Sequence, residues 1–81
     1  MHVTIKSDIG NLVFILGNDT FRLPDINSGE KVYYRDDGNF KPAIFIAYRY
    51  DSWTGVIFAS INLSGMLTSV EPADICKFSD L

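Results

Sequence analysis

The sequence predicts an all-β fold, a small closed sheet forming a single domain over residues 1–81. Composition is the first reason: the apolar residues are rich in Ile, Val, Phe and Tyr, which favour strands. The positions of the turn-forming residues are the second reason, because Gly and Pro fall between the apolar runs, where turns are expected. The third is a long run after Asp37-Gly38 that is apolar on both faces, as expected of a strand shared by two sheet layers.

The N-terminal part is predicted to form a hairpin over residues 1–23. His2–Lys6 alternates apolar and polar residues, and Leu12–Leu16 is continuously apolar, with turn-forming residues between them. Thr20–Leu23 adds a short strand that Pro24 ends. Because Leu12–Leu16 carries no charge that would block pairing, it is expected either to be buried or to pair with another copy of the chain.

Residues 29–78 are predicted to form the barrel itself. Its strands are Lys31–Arg35, Phe40–Tyr50, Val56–Leu63, Met66–Val70 and Cys76–Phe78. Pro42 implies that the start of the longest strand lies at an edge or a bulge. Glu71-Pro72 favours a single 3₁₀ turn before the closing strand. The predicted core consists of Val32, Ile44, Ile46, Val56, Phe58 and Val70.

This part of the chain resembles the Tudor and related SH3-like barrels. The resemblance lies in Gly29–Val32 (G-[DE]-x-V), in the Asp37–Phe45 hairpin (D-G-x-[FY]-x-x-A-x-[IFV]), in Gly55–Phe58, and in the ending Val70–Ile75. It implies a small SH3-like (Tudor-like) barrel of about five strands, to which the N-terminal hairpin is an addition. The pattern mostly encodes turns and core, so it indicates the barrel more than any one family.

Tudor domains that bind methylated side chains use an aromatic cage, in which ring faces attract a cation. By the resemblance, Tyr34 falls at one cage position. Lys41 and Ala59 stand where the next two cage aromatics are expected. The chain therefore departs from the pattern that methyl-ligand recognition requires.

Charge and composition narrow the classes of function. Ten acidic and seven basic residues give a net charge of −3, and no two basic residues are adjacent, whereas nucleic-acid binders usually show a basic face. One cysteine, Cys76, excludes an internal disulfide and favours a reducing compartment. No apolar run is long enough for a signal peptide or a membrane span, so we expect a cytoplasmic protein without a membrane partner. No motif indicates a metal, a cofactor or catalysis.

The densest group of interface-type residues surrounds the turn after the longest strand. Tyr, Trp and Arg dominate binding hot spots because they bury large areas while keeping a polar group. The alternative is that Tyr48 and Trp53 close one end of the barrel over its core. The predicted partner-binding residues are Tyr33, Tyr34, Arg35, Tyr48, Arg49, Tyr50, Asp51 and Trp53.

The sequence therefore predicts a non-catalytic protein-binding module, a small stand-alone adaptor or inhibitor that docks on a larger protein, of the kind that phages and mobile elements encode. One alternative is nucleic-acid binding through Lys31, Arg35, Lys41 and Arg49, with Tyr34, Tyr48 and Trp53 stacking on bases. The other is an enzyme subunit whose site forms only in an oligomer. A homodimer through the N-terminal hairpin is a further hypothesis.

Overall fold

The computed structural model describes residues 3–80, and within that range the chain is all-β, with two antiparallel sheets and no α-helix. The strands are β1 (Val3–Asp8), β2 (Asn11–Leu16), β3 (Asp19–Pro24), β4 (Lys31–Asp36), β5 (Asn39–Asp51), β6 (Val56–Leu63), β7 (Met66–Val70) and β8 (Ile75–Lys77). Two 3₁₀ turns cover Pro72–Asp74 and Phe78–Asp80.

The first sheet is a meander of three strands in the order β1-β2-β3, which are the two strands of the predicted hairpin and the short strand predicted over Thr20–Leu23. β2 contains the apolar run Leu12–Leu16 and pairs on both sides, with Ile5 and Phe21 opposite Phe14. The run is therefore the central strand of its sheet, and both of its edges pair within the chain. The homodimer hypothesis for this part of the chain does not have an unpaired β2 edge to rest on. His2, assigned to the first strand, lies outside the described residues.

The second sheet has five strands in the order β7-β6-β5-β4-β8. Four of them form a meander, and the 3₁₀ turn at Pro72–Asp74 then returns the chain so that β8 pairs with β4. β7 and β8 remain its two edges, so the sheet is not closed into a barrel.

The core lies on one face of this second sheet. Of the predicted core residues, Val32 and Val70 are buried. Ile44 and Val56 are exposed, and Ile46 and Phe58 are only half-buried. The buried cluster is instead Ile26, Val32, Ala43, Phe45, Ala59, Ile61, Val70 and Ile75.

Register explains this difference. The Asp36–Asn39 pair closes the β4–β5 hairpin, so Val32 lies opposite Ala43 and the two share a face. Ile44 then points away from the core, although it is the larger side chain. The prediction chose the bulkier residues on β5 and β6, whereas side-chain alternation from the hairpin turn decides which face is buried.

An irregularity in β5 changes its alternation. The register with β6 shifts between Phe45 and Ala47, and this extra residue brings Tyr48 to the same face as Phe45. Their ring centroids lie 4.9 Å apart. Pro42 precedes Ile44, the first β5 residue that pairs with β6, so its missing N–H removes no bond between these strands. The start of β5 is thus an edge, as Pro42 predicted.

The first sheet packs its apolar face on the Tyr48 end of β5. Phe14 meets the Tyr48 ring edge to face, at 6.0 Å between centroids. The Tyr48 hydroxyl donates a 2.6 Å hydrogen bond to the Pro24 carbonyl at the end of β3. The contacts of Tyr48 with Phe14 and Pro24 therefore join the two sheets. The opposite face of the first sheet is polar around Val13, where Arg22 forms an ion pair with Asp8.

Candidate functional site

The turn between β5 and β6 is ordered by the side chain and carbonyl of Asp51. The carboxylate accepts hydrogen bonds from the Trp53 N–H at 2.9 Å and from the Thr54 hydroxyl at 3.0 Å. The Asp51 carbonyl accepts a 2.8 Å bond from the Gly55 N–H. An Asx turn of this kind fixes a loop backbone without help from the core. Asp51 therefore holds the turn in one conformation.

Trp53 is presented at the tip of this turn and is 96% exposed. Tyr50 and Val56, 37% and 50% exposed, lie behind it on opposite faces of the hairpin, because Val56 pairs with Asp51 and Tyr50 pairs with Ile57. We call this end of the hairpin, with Trp53 at its extremity, the Trp53 tip. An exposed tryptophan that is not part of the protein's own core is a typical hot-spot residue for binding a partner.

The other residues predicted to bind a partner around this turn differ in exposure. Tyr48 packs against the core cluster and against Phe14, and is not part of the exposed surface. Burial, with a smaller effect from the Asp25 carboxylate, raises the pKa of the Tyr48 phenol far above its ordinary value. Arg49 is exposed, and its Nε donates a 3.0 Å hydrogen bond to the Ser60 hydroxyl.

Tyr33, Tyr34 and Arg35 lie far from the Trp53 tip. They belong to β4, which pairs with the opposite end of β5: Tyr34 lies across from Lys41. From Lys41 to Tyr50, β5 runs roughly 25–30 Å at the usual rise of a strand. Sequence reasoning grouped them by residue type, but the structure does not bring them together.

These three residues do not form one surface. Tyr34 is half-buried against the core cluster, on the inner face of the sheet. Arg35 forms a 3.0 Å ion pair with Asp74 of the 3₁₀ turn. Tyr33 lies on the outer face, stacked on Phe78 with ring centroids 4.0 Å apart and planes 12° from parallel.

A groove on that outer face was missed by sequence reasoning. It has a volume of about 610 Å³, and its walls include Lys31, Tyr33, Pro42, Ile44, Asn62 and Phe78. The sequence does contain a signal that predicts this groove, the two-residue turn at Asp37-Gly38. The turn sets the register of the β4–β5 hairpin, which places Tyr33 opposite Pro42, on the face away from Val32. The ring of Phe40 meets Tyr33 edge to face at 6.3 Å and extends the apolar surface.

The basic residues proposed for nucleic-acid binding are partly neutralised. Lys41 forms a 2.7 Å ion pair with Asp36, which raises the pKa of its ammonium group through a hydrogen bond and charge attraction. Arg35 is held by Asp74. Lys31 borders the outer-face groove, whereas Arg49 lies near the other end of β5. The four cations therefore do not form one continuous basic surface.

Over residues 3–80, no group of three or more His, Cys, Asp or Glu side chains is arranged to hold a metal ion. In the same range, no helix is long and apolar enough to cross a membrane. Comparison with family models, with curated proteins and with solved structures finds no match to this chain.

Proposed function

We propose that this chain is a non-catalytic protein-binding module, with its five-stranded sheet as an SH3-like scaffold and the Trp53 tip as its main contact. The strand order of the second sheet supports the scaffold assignment. In it, the meander β4-β5-β6-β7 and a 3₁₀ turn precede β8, which pairs with β4. The contact assignment rests on the tip alone.

The observation that carries the proposal is a fully exposed tryptophan on an ordered turn. Trp53 is 96% exposed, while Asp51 holds the turn by bonds to the Trp53 N–H and the Thr54 hydroxyl. A turn that is already ordered loses little conformational entropy on binding, so burial of the indole contributes more to affinity. Arg49, kept in place by Ser60, lies on the same end of β5 and supplies orientation more than strength.

A protein partner fits this tip better than a nucleic acid. The turn that carries Trp53 contains no basic residue, and its first residue, Asp51, is acidic. Nucleic-acid affinity depends on basic groups that neutralise phosphates, and Arg35 and Lys41 are each paired with an aspartate. Adaptor and inhibitor roles remain equally compatible with such a contact.

The test uses Trp53 both as the site and as the reporter, because it is the one tryptophan in the chain. In the free protein its fluorescence should match that of a solvent-exposed indole and change little when the protein unfolds. The immobilised wild-type protein and Trp53→Ala would be used side by side to capture partners from the source cell. A captured protein would then be purified and titrated against both by calorimetry.

We expect Trp53→Ala to weaken binding by about 2 kcal/mol or more, and the partner to shift Trp53 emission to shorter wavelength. Ile9→Ala is the matched control, since Ile9 is 97% exposed on the β1–β2 turn and should not affect binding. A folded Trp53→Ala variant with unchanged affinity would remove the tip from the proposal. Specific binding of single-stranded DNA or RNA by the purified chain would favour the nucleic-acid alternative instead.

A further inference from the structure

Within residues 3–80 four strands lie at sheet edges, and among these β7 alone carries no charged residue or proline that would block pairing. β1 carries Lys6, and β3 carries Arg22 and Pro24. β8 has three residues, ends in Lys77 and is flanked by 3₁₀ turns. The five residues of Met66–Val70 include neither charge nor proline. Proteins usually protect exposed edge strands with such residues, and an edge without them is available for pairing with another strand.

The backbone groups that face outward on β7 follow from its hairpin. Ser64 and Gly65 both have positive φ, at 54° and 85°, which defines a two-residue turn closed by a Leu63–Met66 hydrogen-bonded pair. Hydrogen-bonded and non-bonded pairs alternate from there. Leu67 and Ser69 therefore occupy non-bonded positions, and their N–H and C=O groups point away from β6.

We propose that β7 is a homodimer interface, at which it pairs antiparallel with β7 of a second copy of the chain. A register centred on Thr68 places Leu67 opposite Ser69 of the second copy. Each Leu67–Ser69 pair then exchanges both of its N–H···O bonds. Met66 meets Val70, and Thr68 meets Thr68 on the two-fold axis, a favourable cross-strand pair.

Charge and side-chain exposure favour a second copy. In this register Glu71, the first charged residue after β7, lies opposite Gly65, so no like charges meet across the axis. Met66 and Leu67 are 71% and 68% exposed in the single chain, and pairing reduces that exposure. β8 of a second copy is a poorer partner because its three residues end in a lysine. The pairing is isologous and closes at a dimer.

The short strand predicts a weak dimer. Five residues span about 17 Å, which gives an interface well below the size of permanent ones. The mass of the purified wild-type protein would be measured by sedimentation from about 10 μM to about 1 mM. It should rise from monomer towards dimer. Over the same range, amide exchange at Leu67 and Ser69 should slow about tenfold or more, while Thr68 stays protected throughout.

Ser69→Pro removes one outward N–H without touching a bond to β6, and Ser69→Ala keeps it. The alanine variant should dimerise as the wild type does, and the proline variant should stay monomeric with folding verified by circular dichroism.

A wild-type protein that remains monomeric at about 1 mM would overturn the proposal. So would unchanged dimerisation of Ser69→Pro, or dimerisation without protection at Leu67 and Ser69. If the proline variant does not fold, the exchange pattern of the wild type decides. Trp53→Ala should dimerise normally, which separates this interface from the Trp53 tip.

Discussion

The hydroxyl of Tyr48 donates a 2.6 Å hydrogen bond to the carbonyl oxygen of Pro24, and this bond joins the two sheets. Tyr48 lies after the β5 irregularity, while Pro24 ends β3. The same tyrosine ring packs on Phe14 of the first sheet and on Phe45 of the second. One side chain thus contributes both polar and apolar contacts at the junction.

Tyr48→Phe is expected to lower the free energy of unfolding by about 1 kcal/mol, because the Pro24 carbonyl loses its donor while the ring packing remains. Urea unfolding followed by circular dichroism would measure this. Tyr50→Phe is the control, since Tyr50 is 37% exposed and should change stability little. A Tyr48→Phe variant as stable as the wild type would show that this bond does not contribute to holding the sheets together.

The same tyrosine predicts a loss of stability in alkali. Burial raises the pKa of the Tyr48 phenol above its ordinary value of 10.0. The unfolded chain therefore ionises at this position first, so the contribution is complete below pH 10 and declines as the pH rises above it. Urea midpoints measured from pH 8 to about 11.5 should fall more steeply for the wild type than for Tyr48→Phe. Parallel curves for the two proteins would contradict the prediction.

A pair of substitutions on β6 tests which face forms the core. Ile61 is fully buried in the central cluster, whereas Val56 on the same strand is 50% exposed. Ile61→Ala should cost about 2–5 kcal/mol through lost burial and a cavity, and Val56→Ala below about 1 kcal/mol. Thermal and urea unfolding would measure both. Equal costs would indicate that β6 turns its other face inward.

The β6–β7 turn offers a stabilising substitution. Ser64 has a φ of 54° and precedes Gly65, so it occupies the position that Asn fills best in a turn of this type. Ser64→Asn should raise the free energy of unfolding by about 0.5 kcal/mol. Ser52→Asn, in a turn residue with negative φ, is the control and should have little effect. A destabilised Ser64→Asn variant would argue against this turn geometry.

Much of the strand pattern was predictable because local chemistry specifies it. Gly38 after Asp37 marks a hairpin turn, and Pro42 marks a stretch of β5 without a β6 partner, as found. At the site, the exposed turn bearing Trp53 was also predictable, since polar turn residues surround it. The outer-face groove was not foreseen, although the register of the β4–β5 hairpin places Tyr33 and Ile44 on one face.

By itself the sequence determined where the chain turns and which segments extend, since backbone preferences of Gly, Pro and β-branched residues act over a few residues. Tertiary structure alone decided which side of each strand is buried and how the sheets meet. A single extra residue near Ile46 brings Tyr48 to the face of Phe45, and no local pattern marks it. Tyr33 and Trp53 looked like one surface in the sequence, but pairing along β5 holds them at opposite ends of the sheet. Such distances depend on strand register, which forms only when distant parts of the chain pair.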